Sequence, residues 1–241
     1  MAVCFCAAAI IALESPPDCG ASGRGTFYVI GTGPAGPQTA TLQALETIKK
    51  MDAILLYQPQ QAKLFSDYIG KTPVLFNPWK GLWDYKGKPY NKLNEKEMAA
   101  FKIERFKVND RNVAKIKELL KQGKNVGMLD SGNPCVFGPS HWYVEQLDPK
   151  DVVIIPGMGC DAAAMAALKA SAMPAHGTRF LLQSAPFYMT GKLASPGLFF
   201  DLDETAEQDI LKDLAKYNHT MVLYMAFKDP VKLFATLGNY L

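Results

Sequence analysis

Histidine is scarce in this chain, with three in 241 residues, at His141, His176 and His219. They lie far apart in sequence and suggest no acid–base dyad, so each reads as a structural or solvated side chain. Cysteine is nearly as sparse: five residues, an odd number, with no zinc-like spacing. Cys4, Cys6 and Cys19 fall in the first twenty positions. Cys135 and Cys160 read as small buried thiols beside glycine-containing loops, and no disulfide framework is indicated. A net charge of +3 is too small to require a nucleic-acid partner. The apolar run from Ala2 to Leu13 is too short to span a bilayer. Internal repeats and low-complexity tracts are lacking.

What remains is an ordinary globular composition, 49% apolar and 20% charged, long enough for one large domain or two small ones. Residues 1–25 read as lying outside the fold. Their apolar start and the small-residue zone Ala21-Ser22-Gly23 resemble a secretory signal that lacks a positively charged leading segment. The expected location is the cytoplasm, with export left open. Charge is unevenly distributed: between Lys80 and Lys124 stand thirteen Lys/Arg against six Asp/Glu. That excess fits either two solvated amphipathic helices or a basic rim that attracts an acidic substrate.

From Thr26 onward, short apolar runs alternate with helix-length amphipathic stretches, the pattern of an α/β fold. Strands are expected at 26–30, 53–57, 73–76, 125–129, 152–155, 179–184 and 220–225. Helices are expected at 39–50, 60–68, 95–106, 110–122, 160–172 and 205–216, with a last one opened by Asp229 and Pro230. The 160–172 stretch is rich in Ala and Met and reads as buried. Trp79 to Asn94 has no clean period and reads as an irregular loop or lid. Gly123 is the expected cap of the helix before it.

Two glycine-proline loops stand at strand ends. The first is Gly31-Thr32-Gly33-Pro34-Ala35-Gly36-Pro37; the second is Asp130-Ser131-Gly132-Asn133-Pro134-Cys135-Val136-Phe137-Gly138. Glycine there removes the Cβ and lets a ligand approach the backbone, and two such loops suggest one crevice for one large polar cofactor. Gly31-x-Gly33-x-x-Gly36 also matches the dinucleotide fingerprint. That motif requires a helix starting inside it and an acidic residue ending the second strand, whereas this chain has Pro37 and then Tyr57-Gln58. A dinucleotide oxidoreductase is therefore a lesser alternative.

Four segments in order resemble the tetrapyrrole methylase family of sirohaem and cobalamin synthesis: Gly31–Gly36 with Thr39-Ala40-Thr41-Leu42, Gly132–Gly138, Ile155-Pro156-Gly157, and Thr220-Met221-Val222-Leu223-Tyr224-Met225. The resemblance runs from Thr26 to about Leu241. It implies two α/β domains, 26–156 and 157–241, with the cofactor crevice between them and a shortened second domain or an incomplete sequence. It further implies an S-adenosylmethionine-dependent C-methyltransferase acting on a tetrapyrrole, as a homodimer, with no metal, nucleic acid or membrane span. Carried over by position, Gly33, Pro34 and Gly36 would form the first loop, with Pro34 lining the substrate trough. Ser131, Gly132, Asn133 and Val136 would hold the methionine part of the cofactor. Gly159 and Cys160 would sit near the ribose or adenine, and Met225 would pack on the adenine. Lys71, in Tyr68-Ile69-Gly70-Lys71, is the one candidate catalytic side chain. Two positions depart from the family: Gln58 where uroporphyrinogen-type members carry an Asp, and Asn133 where the second loop has an Asp. Other readings that stay open are an RNA-methylating relative and a non-catalytic relative of the same fold.

Overall fold

The computed structural model describes residues 23–136, 138, 140–173, 180–184, 216–224, 231, 234, 235 and 238. The chain divides into two compact units, the first ending at Cys160 and the second beginning at Asp161.

In the first unit, β1 (Phe27–Gly31) leads through a single 3-10 turn to α1 (Leu42–Ile48), then β2 (Ala53–Leu56). Two short helices, α2 (Pro59–Leu64) and α3 (Ser66–Ile69), precede β3 (Val74–Phe76). A small hairpin of β4 (Asp84–Tyr85) and β5 (Lys88–Pro89) comes before α4 (Glu95–Lys121), the longest element. Next come β6 (Val126–Asp130), α5 (His141–Val144) and β7 (Val152–Ile155). Five strands form one sheet in the order β3-β2-β6-β1-β7, every neighbouring pair parallel.

A parallel sheet needs cover on both faces, and the strand sequences supply it. Alternate side chains of each strand point to opposite faces. Phe27, Val29, Ala53, Leu55, Val126 and Met128 join the cluster that includes Val113, Ile116 and Leu120 of α4 and Tyr143 of α5. Ile30, Ile54, Leu56 and Leu129 join the other cluster, with Leu45 and Ile48 of α1 and Phe65.

Two expectations change in this unit. The helices expected at 95–106 and 110–122 are one continuous helix, capped by Asn94, whose side chain accepts from Glu97 N–H at 2.9 Å while Glu97 accepts from Asn94 N–H at 2.9 Å. The buried series Phe101, Arg105, Asn109, Asn112, Val113, Ile116 and Leu120 keeps helical spacing straight through Asn109-Asp110. Gly123 ends it as expected, at φ +75°, with its N–H on Leu120 C=O and that of Lys124 on Leu119 C=O. The supposedly irregular 79–94 segment holds the β4–β5 hairpin. Its turn residues Lys86 and Gly87 have φ of +52° and +79°, the conformation that matches strand twist.

In the second unit, α6 (Cys160–Leu168) is followed by β8 (Phe180–Ser184), which pairs in parallel with β9 (His219–Leu223). Contrary to expectation, no side chain of α6 is buried, and Leu168 is 69% exposed. Its residues are mostly alanines, whose single methyl groups gain little from burial. The helix expected at 205–216, but for Lys216, and Met225 lie outside the described residues; of the helix expected from Asp229, Val231, Phe234 and Ala235 are described and helical, with Gly238 N–H on Phe234 C=O at 2.9 Å.

Candidate functional site

Because β6, β1 and β7 are parallel neighbours, their three exit loops leave the same edge of the sheet side by side. Beta-sheet order also reverses direction here: β1 lies between β6 and β7, while its successor β2 lies beyond β6. Crevices of open α/β sheets form at such points, outside the carboxyl ends of the strands.

The two glycine loops clasp each other. Gly33 N–H donates to Gly132 C=O at 3.2 Å, and Gly132 N–H donates to Gly33 C=O at 3.0 Å. Thr32 reinforces the joint, its N–H and Oγ1 both donating to Asp130 C=O at 2.8 and 3.0 Å. The β7 exit is drawn in as well. A Cβ on Gly31 would stand 2.5 Å from Gly157 N and 2.7 Å from Pro134 Cδ, and one on Gly157 would stand 2.1 Å from Gly132 O. Glycine is therefore required sterically where the three loops converge. Gly132 itself differs. It has φ +79°, and a Cβ there would meet nothing within 4 Å among the described residues. Both its backbone polar groups serve the clasp, so it offers a ligand a bare, open face rather than a hydrogen-bond donor.

The other candidate residues sort by position. Pro34, Ser131 and Val136 are exposed on the two glycine loops, and Gly36 is buried in the first of them at φ +104°. Asn133 Oδ1 accepts from Cys135 N–H at 3.1 Å, so its side chain shapes its own loop. Gly159 follows β7, and Cys160 opens α6. Cys135 and Cys160 are both exposed, not buried as expected, because each lies in or at the end of a strand-exit loop. Lys71 is not brought to this site. It stands in the turn that enters β3, where Thr72 Oγ1 donates to Met51 C=O at 3.2 Å just ahead of β2. That is the amino edge of the sheet, opposite the glycine loops. Gln58, leaving β2, is on the correct edge and exposed.

The dinucleotide reading fails on the same geometry. The helix that follows β1 starts at Leu42, capped by Thr41, well past Gly36, and β6 separates β1 from β2. Among the described residues no group of three or more His, Cys, Asp or Glu is placed to hold a metal ion.

Polar residues that sequence pattern did not single out support the site from behind. Gln61 of α2, 6% exposed, accepts at Oε1 from Tyr57 N–H (3.2 Å) and Gln58 N–H (3.3 Å), and its Nε2 donates to Ser131 Oγ at 3.3 Å. Asp130 ends β6, and burial pushes its carboxyl up from the usual aspartate range, against the opposing pull of the Ser140 hydroxyl, Ser131 N–H and His141. His141 Nε2 contacts Pro134 C=O at 3.2 Å, closing the second loop on itself. Farther along, the Tyr143 hydroxyl donates to Pro78 C=O and accepts from Asn112 Nδ2 at 3.1 Å; burial pushes it up to about 12.

The fold is similar to that of a cobalt-precorrin-4 methyltransferase of cobalamin biosynthesis. The TM-score is 0.61 at 21% identity, covering 89% of this chain and 74% of that one. In sequence the chain is 26% identical over 220 residues to ribosomal RNA small subunit methyltransferase I of Thermotoga maritima, covering 90% of this chain and 77% of the relative. It is 25% identical over 199 residues to cobalt-precorrin-4 C(11)-methyltransferase of Methanocaldococcus jannaschii, covering 82% and 62%. It is 28% identical over 219 residues to uroporphyrinogen-III C-methyltransferase of Bacillus subtilis, covering 85% and 67%. The chain thus spans roughly two thirds to three quarters of the lengths of these relatives. Residues 26–240 match the family as a whole. With the glycine clasp at the carboxyl edge of a parallel sheet, that match establishes the chain as a member of the tetrapyrrole (corrin/porphyrin) methylases, a family of S-adenosylmethionine-dependent methyltransferases.

Proposed function

We propose that this protein transfers a methyl group from S-adenosylmethionine to a ring carbon of a tetrapyrrole. The observation that carries the reading is the clasp of Gly33 and Gly132 with the open space over Gly132. A cradle that leaves one glycine face bare fits a cofactor that must pack closely against backbone. Ser131, Asn133 and Val136 on one loop, with Gly159 and Cys160 on the next, are the residues that would hold it. When bound, S-adenosylmethionine supplies a methyl group on a positively charged sulfur, with a good leaving group.

The chain's own contribution is alignment. The mutually bonded loops hold a fixed floor, and fixing two reactants in line can supply roughly 7–11 kcal/mol in well-oriented cases. At the β2 exit stands Gln58, which cannot take a proton. An electron-rich ring carbon does not need a base for the transfer itself. The substrate class is supported by the precorrin-4 and uroporphyrinogen-III methyltransferases among the relatives, and by the basic, aromatic 79–94 segment. There Lys86 lies over the Tyr85 ring and Lys92 is exposed, whereas Lys88 is engaged with Glu97 at 2.6 Å. Lys86 and Lys92, with the exposed Lys80, are therefore cations of this segment available to substrate carboxylates. The family resemblance further supports a homodimer, which light scattering tests.

A second reading is methylation of ribosomal RNA. It is favoured by the rRNA methyltransferase relative and by the exposed cations Lys96, Lys107, Lys117 and Lys121 along α4, since clustered cations bind phosphates. The experiment that separates them is methyl-labelled S-adenosylmethionine offered in parallel with uroporphyrinogen III, with precorrin-type tetrapyrroles and with small-subunit rRNA. Label in a tetrapyrrole, with an apparent KM raised at low salt by the joint Lys86→Gln and Lys92→Gln substitutions, supports the first reading. Label in the RNA alone replaces it with the second.

A further inference from the structure

Gln61 belongs to none of the segments that carry the family resemblance, yet it is the buried polar residue that joins two strand exits. Its side chain is 6% exposed, and all three of its hydrogen bonds reach backbone or side-chain groups at the carboxyl edge of the sheet. Oε1 receives the N–H groups of Tyr57 and Gln58, the two residues that leave β2, at 3.2 and 3.3 Å. Nε2 reaches Ser131 Oγ at 3.3 Å, the first residue after β6. β2 and β6 are neighbours in the sheet, so the amide is a strut across their two exits. A buried amide at a site where an apolar side chain of similar volume would fit is favourable only through the bonds it makes. Two of those bonds fix the β2 exit; the third fixes the orientation of Ser131.

We propose that Gln61 is a positioning residue for the cofactor loop, holding Ser131 in register against the β2 exit. This rests on the reading above, in which the 131–136 loop receives the methionine part of the cofactor. Removing the amide leaves the glycine clasp in place but frees Ser131 to rotate, so affinity falls while the sheet stays folded. A carboxylate of the same length behaves differently. It still accepts from Tyr57 and Gln58, and the Ser131 hydroxyl can turn and donate to it.

The test is calorimetric titration of the full chain with S-adenosylhomocysteine, with a melting curve for each variant. The variants are Gln61→Met, Gln61→Glu, Ser131→Ala and the double substitution Gln61→Met with Ser131→Ala. Gln61→Met is expected to raise Kd about tenfold, in line with the net worth of one hydrogen bond. Gln61→Glu is expected to stay within about threefold of the parent, and Gln61→Met to change Kd less than about twofold once Ser131 is Ala. A folded Gln61→Met protein that binds like the parent overturns the proposal. So does an equal loss with and without the Ser131 hydroxyl, or a Gln61→Glu variant as weak as Gln61→Met. If the parent protein, shown to be folded, does not bind at all, the methyl-donor reading fails first and this inference falls with it.

Discussion

Gly132 and Gly70 allow the scaffold and the site to be separated by a single methyl group. Both have positive φ, +79° and +56°, and a Cβ on either meets nothing within 4 Å among the described residues. Alanine at Gly132 therefore bears a backbone penalty of about 1–2 kcal/mol, and alanine at Gly70 at least as much, because its ψ of −121° lies outside the left-handed helical region. For a protein of this size that lowers Tm by roughly 2–8 °C. The two differ in place: Gly70 caps α3 on the amino side of the sheet, whereas Gly132 stands in the clasp with Gly33 at the carboxyl edge. Saturating a one-site protein with ligand at a hundred times Kd stabilises it by about 2.7 kcal/mol. Melting curves of the parent, Gly70→Ala and Gly132→Ala, with and without S-adenosylhomocysteine, then give a direct comparison. The parent and Gly70→Ala should rise equally on adding ligand, and Gly132→Ala should not rise. If Gly132→Ala is stabilised as much as Gly70→Ala, the space over Gly132 is not the cofactor's and the site is wrongly placed.

Gly31→Ala should behave in the opposite way: its Cβ would press within 2.8 Å of Gly157 N, Pro134 Cδ and Gly157 Cα, so the protein should lose about 3 kcal/mol or more of stability on denaturant unfolding. An unchanged midpoint would mean that the three loops do not converge as described. Asp130 gives a pH signature. Its native carboxyl holds a proton more tightly than in the unfolded chain, so it costs stability at neutral pH, and that cost vanishes below the unfolded aspartate value. Asp130→Asn should therefore melt higher than the parent at pH 7 and converge with it near pH 3; a constant gap across that range contradicts the assignment. Arg105, 2% exposed, stacks its guanidinium over Phe101, Phe106 and Trp142 at 5.7, 5.4 and 5.5 Å. Arg105→Ala should cost about 2–4 kcal/mol in chemical denaturation, chiefly through lost packing, and a cost under about 1 kcal/mol would show that the stack is idle.

The glycine loops were legible because close approach leaves a chemical mark: only glycine fits at Gly31 and Gly157, and the sequence cannot hide it. Strand positions were legible for the same local reason, since apolar runs fully buried on both faces must be short and β-branched or leucine-rich. What joins distant segments was not. The order β3-β2-β6-β1-β7 depends on pairings across about a hundred residues, and nothing near Gly33 indicates that Gly132 is its partner. Lys71 was misplaced for that reason. Which edge of the sheet it occupies is a topological property that its local sequence does not carry. Asn109 and Asp110 suggested a helix break because both residues compete for backbone hydrogen bonds, yet burial of Asn109 and Asn112 with the apolar stripe carried α4 through. Gln61 had no local signal at all, because a glutamine in a short helix is usually solvated; its role emerges only from the side chain's three partners.

The central claim, that the three-loop crevice is a methyl-donor site, is tested most directly by calorimetric titration of the parent protein with S-adenosylhomocysteine. Saturable binding with one ligand per chain is the predicted result, and a folded protein that gives no binding heat at any temperature tested would contradict it.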